Sequence, residues 1–416
     1  MAARSGLFNW GGNIRYGTDV VERPGSIEEL QQLVARSNRL RTLGTGHSFN
    51  RVADSDALLV SVAGLPTVLE LDSAAATVRI SAGLRFGELT GFLDRHGFAL
   101  ANLGSLPHIS VAGACATGTH GSGNGNPALA ALVRAQQRVG PDGSLVEQAA
   151  GEPDFDGSVL ALGLLGPVTE LTLALVPSYQ VRQYVYDSLP FRALAEHFDE
   201  ISAAAYSFSV FTSWRGDAAD QLWLKSQQER AAGDCFGARP AAGPRHPLPD
   251  GDTSAATEQG GVPGPWQARL PHFRLEFTPS NGDEIQSEYF IERAHLPAAI
   301  GALRAMSDVL APVLQVSEVR TIAADELWLS PFYRCDRVAL HFTWVLDEPA
   351  VSPVVQELEA RLADFDAVPH WGKYFHTSSA RLAELHPRLA DFAALVRRHD
   401  PAGKFSNAFT RECGLG

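Results

Sequence analysis

Two glycine-rich stretches decide how this chain is read. The first is Arg41-Thr-Leu-Gly-Thr-Gly-His-Ser-Phe49; the second is Gly104-Ser-Leu-Pro-His-Ile-Ser-Val-Ala-Gly113, leading into Ala116-Thr-Gly-Thr-His-Gly-Ser-Gly123. In the first, a short apolar strand runs into a loop where Gly44 and Gly46 let the backbone approach a ligand closely, and successive N–H groups can form an anion nest. No GKS or GKT follows, and no GxGxxG opens a helix, so it is neither a Walker loop nor the usual dinucleotide fingerprint. Taken alone, such a loop reads as a plain turn. The second stretch changes that reading. Small residues and hydroxyls dominate residues 104–123, with scarcely a charge. They cannot pack a core through large side chains, but they can wrap a long, polar, anionic ligand with N–H and hydroxyl donors, and a dinucleotide pyrophosphate is a natural candidate.

Around these loops, short β-rich runs alternate with helical patterns. Ser26-Ile-Glu-Glu29 is a capping box opening an amphipathic helix over 27–34. Residues 58–62 and 77–81 read as strands, 86–96 as a helix, Gly140-Pro-Asp-Gly143 as a hairpin turn and 169–176 as a strand ending at Pro177. From about residue 178 the chain is richer in aromatics and strand-like runs, including 273–277 and 284–290. Residues 233–266, dense in Gly, Pro, Asp and Ser, predict a long loop or lid. Helices are expected at about 295–310, 352–365 and 379–398. Short, turn-bounded strands predict an α+β fold, not a doubly wound sheet.

The chain has 416 residues, enough for two or three domains at about 150 residues each. With 45% hydrophobic and 19% charged residues it can build a large core, which excludes global disorder. A net charge of −13 argues against a nucleic-acid binder and against docking on an anionic membrane. The apolar stretch 159–177 is broken by Gly163, Gly166, Pro167 and Glu170 and does not read as a membrane span. The N-terminus shows no apolar h-region, so a cytoplasmic address is expected. Cys115, Cys235, Cys335 and Cys413 are scattered, which predicts free thiols, with neither a disulfide framework nor a metal site.

Strand parity supplies a second cluster. Glu318 and Arg320 are two apart, hence on one face of a strand, as are His341 and Thr343; Gln286 opens a third strand-like run. Three such strands could offer Gln, Glu, Arg, His and Thr to one polar cavity suited to a hydroxyl-rich ligand. The competing reading makes Glu318 and Arg320 a solvent-facing pair. Only three cations are lysines, Lys225, Lys373 and Lys404. Lys373, in Pro369-His-Trp-Gly-Lys-Tyr374, reads either as a surface residue or as a position that needs a compact ammonium whose pKa shifts on burial. Lys225 reads as a surface or loop residue, and Lys404 as structural or a phosphate contact.

The pairing of GTGHSF with SLPHISVAG and ATGTHGSG resembles the FAD-binding domain of the vanillyl-alcohol-oxidase-type flavoproteins. With LPHFRLEFTP, IQSEY, SEVRTIAAD, HFTW, PHWGK and DPAGKF in order, the chain resembles the bacterial alditol oxidases, including xylitol oxidases, over nearly its whole length. The resemblance implies an FAD-binding domain of two α+β subdomains over 1–177, a substrate-binding cap with a large antiparallel sheet flanked by helices over 178–368, and a C-terminal segment, 369–416, returning to the FAD domain. It implies FAD covalently linked through His47, with His120 a rival attachment site or a cofactor contact. Thr42, Leu43, Gly44, Thr45, Gly46, Ser48, Ser105, Ser110, Gly113, Thr117, Gly118, Thr119, Val168 and His370 are the implied remaining cofactor contacts.

The same resemblance places Lys373, Arg320, His341 and Glu318 in catalysis and Ser105, Gln286, Glu318, Arg320, Thr343 and Lys373 around the substrate. The implied reaction oxidises the terminal CH₂OH of an alditol such as xylitol or sorbitol to the aldose by hydride transfer to flavin N5, and O₂ becomes hydrogen peroxide. Arg320 and Lys373 would stabilise the developing alkoxide, with His341 or Lys373 as the base. Gly104, where the family commonly has Ala, reads either as leaving more room for O₂ or as serving only the turn. A monomer is expected, with a small polyol and O₂ as its only partners. The alternatives are an aldonolactone oxidase or dehydrogenase of the same fold, a non-catalytic flavin carrier or sensor, and a carbohydrate-binding module.

Overall fold

The computed structural model describes residues 6–231, 233–277 and 283–416. Residues 1–5 of the N-terminal stretch, and Thr278 and Pro279 of the LPHFRLEFTP segment, lie outside them. Helix Ile27–Arg36 starts as the capping box predicts: Ser26 Oγ accepts from Glu29 N–H at 3.2 Å and Glu29 Oε2 accepts from Gly25 N–H at 2.7 Å. Its Leu30, Leu33 and Val34 face a small core shared with Val60, Val139 and Phe405. Behind it stand a three-stranded parallel sheet, in the order Val21–Glu22, Leu59–Val60, Arg41–Thr42, and a five-stranded antiparallel sheet containing Thr77–Ser81, Val168–Ala174 and the Val133–Val139 and Leu145–Ala149 hairpin.

The rest of the chain builds a nine-stranded sheet. Its central path runs Gln180–Pro190, Ala218–Ser226, Ser207–Thr212, Leu314–Ile322, Arg337–Val345, Glu284–Glu292, with every neighbouring pair antiparallel. One face, carrying Leu222, Val319, Leu340, Phe342 and Ile285, packs on helices that include Leu296–Ala305 and Glu348–Leu362. Each such fully buried aliphatic or aromatic side chain is worth about 1.5–3 kcal/mol, so this face fixes the sheet's register and turns the alternate residues the other way. Part of that other face is covered by Leu248 and Ala256 of the loop-rich 233–266 segment, packed on Trp223 and Phe211. Trp371, Phe392, Leu395 and Leu415 join the core of the first 181 residues.

Three expectations need correction. The helix expected over 379–398 is two helices, Ser379–Leu385 and Leu389–His399, separated around Pro387, which has no N–H and clashes with a preceding helical turn. The run 273–277 is not a strand: only Phe273 makes a bridge, to Ala256, and turns follow. The helix expected from 352 starts earlier, at Glu348, where the Asp347 side chain accepts from Ala350 N–H at 3.3 Å.

Candidate active site

A single cavity of about 730 Å³ runs from the two glycine loops to the face of the large sheet turned away from its helices. Its size lies within the roughly 300–1,000 Å³ usual for ligand and cofactor sites. At one end the two loops press together. A Cβ on Gly44 would meet Ser110 Oγ at 2.8 Å, and one on Gly113 would meet it at 2.7 Å, so a side chain at either position would force the Ser110 hydroxyl to turn away. Gly46 adopts φ 71°, a left-handed conformation that also favours glycine. Thr45 Oγ1 accepts from Ser110 N–H at 3.3 Å across the loops. Thr42, Leu43, Ser48, Ser105, Thr117, Thr119, His120, Val168 and His370 line the same cavity. Gly118 does not: it ends helix Val111–Thr117 at φ 75°, against Leu160 and Pro331. Among the described residues it serves the turn and not the cavity wall.

His47 lies at the junction of the two ends. Its ring stacks on Trp10 at 5.0 Å with 20° between planes. Burial, then the Lys373 ammonium, pulls its pKa down to about 4, so it is neutral near pH 7. Its Nδ1 is buried without a hydrogen-bond partner among the described residues, as is Thr42 Oγ1. Buried polar atoms ordinarily find partners, so these two atoms mark where a ligand's polar groups belong. Gly104 lines the same cavity; a Cβ there would make only ordinary contacts, 3.6 Å to His120 O and to Thr119 Cγ2.

The other end is built by pleat and register. Glu288 of Glu284–Glu292 pairs with His341 of Arg337–Val345, which pairs in turn with Glu318 of Leu314–Ile322, so the two carboxylates flank one imidazole across three strands. One pleat further along, Gln286 pairs with Thr343, and Arg320 stands two residues beyond Glu318. Arg320 Nη2 donates to Glu288 Oε1 at 2.6 Å, and its Nε lies 3.5 Å from Glu318 Oε2. His341 Nδ1 lies 3.4 Å from Glu288 Oε2, and Nε2 lies 3.3 Å from Thr343 Oγ1. Lys373 Nζ donates to Gln286 Oε1 and rests 4.9 Å from the centre of the Phe49 ring. The structure thus brings together Gln286, Glu318, Arg320, His341, Thr343 and Lys373, and rules out the solvent-facing reading of Glu318 and Arg320, which are 5% and 6% exposed.

The electrostatics follow from this packing. Burial alone would raise the Glu288 carboxyl, but Arg320, His120 and His341 together hold it well below the usual range. Glu318 is held low by Arg320 and His272 against the same burial. Burial outweighs Glu288 at His341 and lowers its pKa, so the ring is neutral near pH 7. Burial draws the Lys373 ammonium down to about 8, with Glu288 as the strongest opposing influence. His370 accepts at Nδ1 from Gly372 N–H at 2.9 Å, which leaves its proton on Nε2, and burial keeps it neutral.

Several cavity residues were not foreseen. Glu288 is the hub of the site at 2% exposure, and strand parity with Gln286 would have found it. His272, Glu284 and Trp10 line the cavity too. Lys225 is not on the surface: it is 1% exposed and donates to the carbonyls of Leu270 and, at 3.1 Å, Pro271. Lys404 donates to Val34 O at 2.7 Å and to Pro141 O, a structural role. His120, Glu288 and His370 gather three ligand-type atoms within 4.8 Å of one another. Arg320 already supplies the cation at that carboxylate, so we assign no metal there.

The loop pair, the unpartnered polar atoms and the cavity size fit FAD. Residues 18–148 match the family model described as "FAD binding domain", and residues 281–413 the one described as "D-arabinono-1,4-lactone oxidase". The chain is similar to "Alditol oxidase" of Streptomyces sp., 51% identical over 409 residues and 98% of each chain. It is similar at 28% identity, over 97% of each chain, to "L-gulono-1,4-lactone dehydrogenase" of Mycobacterium tuberculosis. The fold is shared by cholesterol oxidase from Brevibacterium sterolicum, with a TM-score of 0.78 at 13% identity, covering 98% of this chain and 96% of the other. Fold and site together define an FAD-dependent oxidoreductase of the vanillyl-alcohol-oxidase type. Within that class, the chain belongs to the alditol oxidase family.

Proposed function

We propose that this protein oxidises the terminal primary alcohol of an alditol, such as xylitol or sorbitol, to the aldose, with FAD linked covalently through His47. The observation that carries this reading is the Glu288–His341–Glu318 row with Arg320, Gln286, Thr343 and Lys373 beside it. It offers alternating acceptors and donors, and every hydroxyl of a polyol needs one of each. Bound FAD supplies the hydride acceptor and passes the electron pair to O₂, giving hydrogen peroxide.

The protein's own groups handle the proton and the charge. His341 is neutral and its Nδ1 lies 3.4 Å from the ionised Glu288, which favours the ring proton on Nδ1; Nε2, 3.3 Å from Thr343 Oγ1, is then the ring acceptor that takes the substrate hydroxyl proton as the Thr343 hydroxyl turns aside. Arg320 and protonated Lys373 stabilise the charge developing on that oxygen. Glu318, Gln286, Thr343 and Ser105 hold the remaining hydroxyls. At the other end, neutral His47, steadied by Trp10, presents a nucleophilic ring nitrogen for the flavin link. Gly104, where a Cβ would meet nothing nearer than 3.6 Å, would leave room for O₂ beside bound flavin. We place the protein in the cytoplasm as a monomer; four free cysteines, three of them buried, suit a reducing compartment. Among the described residues, no helix is long and apolar enough to cross a membrane.

The test combines two assays. Peroxide release should match aldose formation one to one with xylitol or sorbitol, and acid precipitation should leave the yellow colour in the pellet. Alditol consumption without peroxide would refute the oxidase reading. A colourless pellet from flavin-loaded protein would refute the covalent link.

A further inference from the structure

Two buried groups on the substrate face take no part in the chemistry above, Lys225 and His272. Lys225 lies on Ala218–Ser226, and that strand reaches Glu318 through Phe211, which pairs with both Gln221 and Glu318. An ammonium has three donors and no acceptor. Those of Lys225 are consumed by Leu270 O, by Pro271 O at 3.1 Å and by His272 Nδ1 at 3.2 Å. His272 Nδ1 therefore accepts, the single ring proton sits on Nε2, and Nε2 donates to Glu318 Oε1 at 2.8 Å. Arg320 Nε stands 3.5 Å from the other carboxylate oxygen.

We propose that Lys225 and His272 are positioning residues: they fix Glu318 as an ionised acceptor and so select a hydroxyl-rich chain over a ligand that presents a carbonyl at that point. This rests on the polyol reading of the cavity. A carboxylate only accepts. A polyol hydroxyl answers it with a donor, whereas the carbonyl and ring oxygens of a lactone have none to give and would leave both partners desolvated and unpaired. Without the His272 Nε2–H, Arg320 alone holds Glu318 and the carboxylate is free to turn.

The relay is sensitive to pH. Gln183 and Ser207, paired with Lys225 on the neighbouring strands, are uncharged, as is Thr257, whose Oγ1 donates to Pro271 O at 2.7 Å. The charged or titratable groups facing Lys225 are His272, Glu318 and Arg320; His341 also faces Glu318. Burial pulls Lys225 down to about 7 and His272 to about 4. Neutral Lys225 has two donors for three acceptors. Once both carbonyls are served, its lone pair meets that of His272 Nδ1. Moving the ring proton to Nδ1 relieves this clash but strips Glu318 of its donor. The relay is therefore closed below about pH 7 and opens as pH rises.

The experiment compares wild type, His272→Phe, His272→Gln and Lys225→Arg, together with nitrogen NMR of labelled histidine. In His272→Phe the KM for xylitol rises at least tenfold with the flavin spectrum unchanged, and kcat falls less. His272→Gln, which keeps an N–H for Glu318, recovers most of the loss. Lys225→Arg, which does not titrate, moves the rise of KM with pH to higher pH. In the wild type at pH 6.5, His272 carries its proton on Nε2. A proton on Nδ1 there, or an unchanged KM in His272→Phe, overturns the relay. A wild type that holds the Nε2–H tautomer yet oxidises no alditol overturns the polyol reading and supports the relay.

Discussion

Glu288→Gln is the sharpest perturbation of the site, because it keeps size while removing the charge and one of two acceptor oxygens. The carboxylate accepts from Arg320 at 2.6 Å, lies 3.2 Å from His120 Nε2 and 3.4 Å from His341 Nδ1, and is 2% exposed. Breaking a buried ion pair by removing one partner costs about 3–5 kcal/mol, so Tm falls. The folded carboxyl is held well below the unfolded value of about 4.3. Its stabilisation is therefore complete above that value and is lost only as pH falls through the lower folded pKa, so between pH 6 and pH 8 the carboxyl itself adds no pH dependence; the lowered Lys373 pKa makes the Tm gap between wild type and variant narrow from pH 6 to pH 8. His341 also loses the acceptor that fixes its ring. The Arg320–Glu288 hydrogen bond that orients the guanidinium is charge-assisted and worth about 1.5–3 kcal/mol; its loss predicts a roughly ten- to hundredfold fall in kcat/KM. Glu288 is the strongest influence raising Lys373; without it the ammonium titrates below about 8, and the alkaline limb of kcat moves to lower pH. The assay is steady-state peroxide release across pH, with thermal melts alongside. An alkaline limb that stays put or moves upward refutes the assignment of Lys373 as the charge-stabilising cation beside Glu288.

Three further outcomes are expected. Gly104→Leu fills the space that a Cβ there leaves open, and slows flavin reoxidation by O₂ in stopped flow while reduction by substrate changes less. Gly121→Ala drives a Cβ into Asn102 Oδ1 and Leu103 O; the loop holding His120 must shift, which a loss of Tm and of bound flavin absorbance will report. His47→Ala binds flavin that acid precipitation leaves in the supernatant, where the wild type leaves it in the pellet.

Much of this fold is written locally in the chain. The capping box at Ser26, the Gly140–Gly143 turn and the alternation of 77–81 each act over a few residues, and each element forms where its pattern lies. The break at Pro387 is equally local, but it lies inside a favourable apolar pattern that reads as one helix. Parity found Glu318, Arg320, His341 and Thr343 because their strands carry polar residues on one face. Extended two residues from Gln286 it reaches Glu288 as well, but it fails at Lys225 on Ala218–Ser226, where nearly every position is buried and no alternation shows. The Lys225–His272–Glu318 contact joins three segments far apart in sequence, and nothing local announces it. Gly118 was legible as a needed glycine but not as one that turns a helix end away from the cavity.

The central claim is that the row of acceptors and donors on the large sheet receives a polyol and delivers its hydride to the flavin. Anaerobic rapid mixing tests it directly, with xylitol or sorbitol in one series and L-gulono-1,4-lactone in the other, following the visible flavin band. Bleaching by the alditols, at a saturating rate far above that given by the lactone, is the predicted result. Bleaching by the lactone with the alditols inert would contradict the account.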